Sequence, residues 1–166
     1  MSIFEASRTL WTSRMLSVFR IVAGLMFFSN GTMKVLGYPP SPVALPPFDP
    51  ASLLGIAGTL EMVGGVALIL GLMTRPVAFV LAGEMAVAYF YRHFPLSPFP
   101  TVNNGQPAVL YCFFFLYLTF AGAGVWSIDA LMVRGKMQRR MRELHHAPRM
   151  EAEARRKLHT RPMLVR

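Results

Sequence analysis

Residues 58–73, GTLEMVGGVALILGLM, form an apolar run that contains a single ionisable side chain, Glu61. An apolar run of this kind with one acid is typical of a transmembrane helix, because a charge at bilayer depth is costly and normally faces a protein interior. Gly58 lies three residues before Glu61, and Gly65 lies four residues after it. The three positions share one helical face, so the pattern predicts close approach of a neighbouring helix at the carboxyl group.

The composition is typical of a polytopic membrane protein. Of the 166 residues, 54% are hydrophobic and only 15% are charged, and the mean hydropathy is +0.42. These values argue against an ordinary soluble domain. The net charge of +9 does not indicate nucleic-acid binding, because 11 of the 17 Lys and Arg residues lie in one tail from Arg134 onward. We interpret that tail as a membrane-surface and topology signal.

The hydrophobic pattern predicts an all-α fold, a four-helix transmembrane bundle with proline-rich outer loops. An interfacial segment at residues 1–14 precedes the membrane domain at residues 15–128, whose spans cover about residues 15–35, 50–73, 76–91 and 107–126. A cleaved signal peptide is a poorer interpretation of the first span, because Arg20 interrupts it and no small-x-small cleavage site follows.

Three prolines are predicted to open helices. Asp49 is expected to be the N-cap of the second span with Pro50 at its first helical position, and Pro76 and Pro107 open the third and fourth spans. Ser127 is expected to cap a short helix that begins the tail. The basic tail, residues 129–166, is then predicted to be partly helical along the membrane and disordered beyond.

The distribution of Lys and Arg predicts the orientation in the membrane. The N-terminus, the turn at Arg75 and the C-terminal tail are basic, whereas the loop at residues 37–50 has no Lys or Arg. By the positive-inside rule both termini are cytoplasmic and both proline-rich loops lie outside. Four spans and termini on one side are mutually consistent.

Charged side chains from three spans are predicted to lie at comparable depths. At a rise of 1.5 Å per residue, Arg20 lies about 8 Å from the cytoplasmic end of its span, Glu84 about 12 Å and Glu61 about 18 Å. An arginine at that depth can bridge to Glu84. Two interpretations stay open at this point: the cluster handles protons or binds a polar ligand, or it only holds the helices in register.

Further polar and small residues complete the candidate set. Asn30, Lys34 and Tyr91 are candidates for the outer side of a ligand pocket, although Lys34 can also snorkel to the interface. His93 is expected to be interfacial, and no pattern for a metal, haem, iron–sulfur or phosphate-loop site is present. The residues predicted to serve helix packing are Gly24, Gly31, Gly58, Gly65 and Gly122.

Three motifs resemble the DoxX family of small four-span bacterial membrane proteins. They are R-x3-G-x6-G-x2-K from Arg20 to Lys34, LE-x2-GG-x5-G-x2-TR from Leu60 to Arg75, and GAG-x-WS-x-D from Gly122 to Asp129. The resemblance implies a four-helix bundle in the bacterial inner membrane. It also implies a redox association, since some members are linked to thiosulfate oxidation with electrons passed to quinone.

Two hypotheses of different classes follow. In the first, the chain is a membrane component of a redox system that binds quinone or another small ligand; if it is enzymatic, it is a quinone-linked oxidoreductase subunit with a redox partner subunit. In the second, it is a non-catalytic assembly protein whose buried charges are structural and whose basic tail binds a partner or anionic lipid. The small residues are also compatible with a homo-oligomer. A transporter is a weaker third hypothesis, because no Gly/Pro-interrupted spans are visible.

Overall fold

The computed structural model describes the backbone of residues 3–159 and the side chains of residue 7 and residues 9–143. The described residues form helices and no strands, so the all-α prediction is confirmed. The elements, in chain order, are α1 (Ile3–Leu36), α2 (Leu53–Leu70), α3 (Thr74–Ala88) with a π-helical continuation (Tyr89–His93), α4 (Gln106–Ala121) and α5 (Ile128–His159).

The first helix is longer than a membrane span requires. Its 34 residues extend about 51 Å at 1.5 Å per residue, against a hydrocarbon core of about 30 Å. Residues 3–14 continue the same helix, whereas the sequence predicts a separate surface segment there. The apolar pattern marks where lipid contact can begin, but it carries no signal that would end a helix.

The start of α2 differs from the prediction at Asp49. The N-cap is Ser52, whose hydroxyl accepts a hydrogen bond from the Gly55 backbone N–H at 3.0 Å. The Asp49 carboxylate instead accepts from the Ala51 N–H, and its carbonyl accepts from the Ser52 hydroxyl. Asp49 therefore shapes a turn before the helix, because Asx side chains compete for nearby backbone N–H groups.

Helices α1 and α2 pack closely along a glycine-lined contact. A Cβ atom on Gly24 would lie 2.9 Å from the Gly65 carbonyl oxygen, and one on Gly31 would lie 2.7 Å from Met62 Cα. A Cβ on Gly65 or Gly58 would likewise meet α1, 2.6 Å from the Phe28 nitrogen or 2.8 Å from Lys34 Cβ. The two backbones approach to a separation that no side chain would permit.

The remaining contacts assemble one core in residues 1–130. Helix α3 packs on α4, and α2 also contacts α3. Phe27 of α1 lies edge-on to the Phe115 ring of α4, with centroids 4.6 Å apart. Both rings are buried, as are Leu68, Leu81 and Leu118. Aromatic rings therefore bridge α1 to α4 where the small-residue contact does not reach.

The outside of this unit is strongly apolar. Large exposed side chains include Leu25, Val63, Phe79, Leu110 and Phe120. Two helical stretches, Thr9–Leu36 and Leu53–Leu70, are long and apolar enough to cross a membrane, and Gln106–Ala121 is apolar but shorter. These features fit a membrane bundle.

Residues 131–166 form a second unit. Most of this unit belongs to α5, which ends at His159. With 32 residues, α5 is much longer than the short helix that the sequence predicts. The last seven residues, for which disorder is also predicted, lie outside the described residues. Ser127 does cap the start of α5, since its hydroxyl accepts from the Ala130 N–H at 3.1 Å.

Candidate functional site

The centre of the candidate site is an ion pair between α1 and α2. Lys34 Nζ lies 2.6 Å from Glu61 Oε2, and the Glu61 side chain is only 3% exposed. The pair is possible because Gly58 presents no side chain against Lys34 Cβ, which lets the lysine stem run along α2. The partner of Glu61 is thus Lys34, for which the sequence alone also allowed a position at the membrane interface.

Glu84 of α3 is the second acid of the site. It is close enough to Glu61 and Lys34 to interact electrostatically with both. Both of its carboxyl oxygens are buried, and neither has a hydrogen-bond partner among the residues that the structure describes. Because a buried carboxyl group without partners is unfavourable, this side chain has an unused capacity to bind.

Arg20 does not join the acids, which corrects the bridge to Glu84 predicted from helical depth. Its guanidinium group is fully buried and donates only to backbone carbonyls. Nη1 donates to Leu68 and Ile69 at the end of α2, Nε donates to Ala123 at 2.8 Å, and Nη2 donates to Trp126 at 2.5 Å. Five N–H donors in a planar fork suit several carbonyls at once, so Arg20 ties α1 to α2 and to the turn at residues 122–129.

The same turn also fixes the start of α3. The two carboxylate oxygens of Asp129 accept from the backbone N–H groups of Met73 and Thr74, each at 2.9 Å. Met73 itself supplies no side-chain cap. Asp129 therefore caps α3 from a distant part of the chain, where a carboxylate at a helix N-terminus is favoured.

The other predicted candidates are not brought to the acids by any contact in the described part of the chain. Asn30 is half-buried on α1, and its side chain makes no hydrogen bond with the described residues. Tyr91 is 69% exposed in the π-helical segment, which removes it from an internal pocket. Gly122 ends α4 with φ +85°, beside the Arg75 side chain, so it terminates a helix instead of packing against one.

Two polar residues of structural importance escape prediction from the sequence. Ser17 is fully buried, donates to the Ser13 carbonyl and accepts from the Trp126 N–H. Asn103 is buried in the second proline-rich loop, residues 94–105. Its amide group donates to the Ser97 carbonyl and accepts from the Gly105 N–H. The sequence offers one indication for Ser17: it precedes Arg20 by three residues and therefore lies on the same side of α1.

Two cavities open on the surface of residues 1–130. The larger, of about 680 Å³, lies between α1 and α4 and is lined by Leu16, Tyr117 and Val125 among others. The smaller, of about 410 Å³, lies between the end of α1 and the loop after it, and Lys34 is part of its wall. The smaller cavity therefore adjoins the ion pair. Among the described residues no group of His, Cys, Asp and Glu side chains could hold a metal ion.

The arrangement can bind a polar group and hold protons. Lys34 has three N–H donors and a single acceptor, Glu61, within the described residues. Glu84 supplies two oxygens that can accept, or one hydroxyl donor in its protonated form. A small molecule with an oxygen atom would find both kinds of partner here.

Two comparisons with known proteins identify the family of this chain. A model of the DoxX family matches residues 15–94, which include Arg20, Lys34, Glu61 and Glu84. A protein of Haemophilus influenzae that carries the description "Uncharacterized protein" is 43% identical over 117 residues, covering 69% of this chain and 87% of that protein. No solved structure matches the chain. The chain belongs to the DoxX family.

Proposed function

We propose that the chain is a membrane component of a redox system and binds a quinone at Lys34, Glu61 and Glu84. The observation that carries the proposal is the buried Glu84 carboxyl group, which has no partner in the described residues and lies beside an ion pair. Intramembrane acids of this kind are functional-site candidates by default. A purely structural acid is expected to be satisfied by protein donors.

The donor set fits a quinone. A quinone has two carbonyl oxygens, which accept hydrogen bonds. Lys34 would donate to one of them, and Glu84, when protonated, would donate to the other. When bound, a quinone supplies two-electron, two-proton redox chemistry, with the electrons coming from a partner redox subunit. Glu61 holds the Lys34 ammonium group in place through the ion pair, while the Glu84 carboxyl group would hold a proton beside it.

The proposal includes four spans in a bacterial inner membrane. The exposed apolar surface and the two long apolar helices support membrane insertion. Helices α3 and α4 are then the remaining spans, with α3 extended by the π-helical segment to His93. Both termini lie in the cytoplasm, in accordance with the positive-inside rule.

Quinone binding to the purified protein in nanodiscs tests the proposal. Glu84→Gln preserves size but removes the acid, and Glu61→Gln releases Lys34, so each variant should weaken binding at least about tenfold, or about 1.4 kcal/mol. Glu143→Gln, which neutralises an exposed acid on α5, is the matched control and should bind normally. Unchanged affinity in both buried-acid variants would disprove a role for the cluster.

A second candidate function rests on α5. Between residues 131 and 143 this helix carries exposed apolar side chains, among them Val133, Met137 and Met141, together with five Lys and Arg residues. A basic helix with exposed apolar side chains suits an anionic membrane surface or a cytosolic partner. In this function the buried charges only hold the helices together.

Truncation after Val133 separates the two functions. If the tail performs the function, the truncated chain folds and inserts but loses membrane-partner recruitment, while Glu84→Gln retains it. If the buried site performs the function, quinone binding survives truncation. Recruitment can be measured by co-purification from membranes, with insertion monitored by carbonate extraction.

A further inference from the structure

The cavity beside Lys34 has walls of two kinds. One wall is the end of α1, with Lys34 and Val35; the other is the loop at residues 37–49, with Val43, Leu45 and Phe48. Its volume of about 410 Å³ lies within the range of small-molecule pockets. Lys34 is the single charged residue of the wall, so the cavity is an open and mostly apolar groove with one cation at its side.

Lys34 belongs to both the cavity and the buried ion pair. Its ammonium group contacts Glu61 at 2.6 Å, and its other N–H donors have no acceptor among the described residues. A ligand in the cavity would therefore lie against the residue that pairs with Glu61. Lys34 is the point at which the cavity and the ion pair meet.

The charges select the class of ligand. A cation would be repelled by Lys34, and an anion would gain little, because Glu61 already neutralises the ammonium group. A neutral ring with a carbonyl oxygen meets neither penalty, and its apolar body would contact Val43, Leu45 and Phe48. Carbonyl groups accept hydrogen bonds from ammonium donors without requiring a countercharge.

The loop is built to keep its shape. Residues 37–50 contain six prolines, which restrict the backbone before any ligand arrives. Rigid walls lower the ordering entropy that binding would otherwise require.

We infer that the ligand of the buried site is a neutral carbonyl-bearing ring that enters beneath the 37–49 loop and docks on Lys34 from that side. The inference rests on the proposed function and adds the route and the loop contacts. In the proposed orientation this is the outer face of the membrane. The ring binds against the loop, and its oxygen accepts from Lys34.

Cysteine protection tests the route. In a Cys112→Ser background, Val43→Cys places a thiol on the cavity wall, and Phe99→Cys places a matched thiol in the other proline-rich loop. Both positions are about two-thirds exposed, at 66% and 65%. Maleimide labelling rates are measured in nanodiscs with and without duroquinone, whose fully substituted ring has no free position for thiol addition. Equilibrium binding of duroquinone is measured on the same samples.

We expect duroquinone to slow labelling at Val43→Cys at least fivefold and to leave Phe99→Cys unchanged. Adding Lys34→Met should abolish the protection, whereas Lys34→Arg should retain part of it. Saturable binding without protection at residue 43 would overturn the route but leave the proposed function standing. Absence of any saturable binding would overturn both.

Discussion

Replacement of Arg20 by Met should destabilise the protein more than replacement of any other charged residue in the bundle. Arg20 is fully buried and donates hydrogen bonds to four backbone carbonyl groups. Met fills a comparable volume but donates nothing, so the carbonyls at the end of α2 and in the 122–129 turn lose their partner.

The magnitude can be bounded from two directions. Hydrogen bonds between membrane helices average about 0.6 kcal/mol each, so four of them sum to about 2.4 kcal/mol. A buried acceptor that loses its donor typically costs about 1–3 kcal/mol, because the remaining polar group stays desolvated. We therefore expect Arg20→Met to lower the free energy of unfolding by about 2–5 kcal/mol.

Reversible unfolding in mixed detergent–SDS micelles, followed by circular dichroism, measures this loss. Arg14→Met is the matched control: Arg14 lies 5.2 Å above the Trp11 ring, so its loss should cost at most about 1 kcal/mol. Glu84→Gln provides a second comparison. The reasoning is refuted if Arg20→Met unfolds like the wild type. It is also refuted if Arg20→Met and Glu84→Gln together cost much less than the sum of their separate losses, since such coupling indicates an Arg20–Glu84 bridge.

Three further substitutions test other contacts in the same unfolding assay. Gly31→Ala should cost at least about 2 kcal/mol or separate α1 from α2, because its Cβ would lie 2.7 Å from Met62 Cα. Gly83→Ala is the control and should be neutral or stabilising, because a Cβ atom at Gly83 would meet open space. Asp129→Ala should cost about 1–2 kcal/mol by uncapping α3, and Asp129→Asn should recover part of it. Ser52→Ala should cost about 1 kcal/mol, and a smaller loss than that of Asp49→Ala would contradict the cap assignment.

Helical positions and small-residue faces could be predicted because they depend on local periodicity. Gly24 and Gly31 recur at helical spacing on α1, and Gly58 and Gly65 do so on α2, so a close contact follows from the pattern. Helix starts were less predictable, as Asp49 shows. Several nearby side chains can accept the same backbone N–H groups, and their order in the chain does not rank them.

The sequence was insufficient to predict which charged side chains contact each other. Depth along a span can be counted from residue numbers, and it singled out Glu61 and Glu84 as candidates. It carries no information on which helices are neighbours or in which direction a long side chain turns. Arg20 and Lys34 are 14 residues, or about four helical turns, apart and so share one face of α1. Only packing assigns Lys34 to Glu61 and Arg20 to carbonyl groups.

The stretch at residues 58–73 shows both contributions. The sequence by itself determined that this is an apolar helix with one acid between two glycines, because composition and 3.6-residue periodicity are local properties. The tertiary structure alone decided that the acid pairs with Lys34 and lies within electrostatic range of Glu84. Those contacts join residues 23 to 50 positions apart in the chain, and three helices must pack before any of them can form.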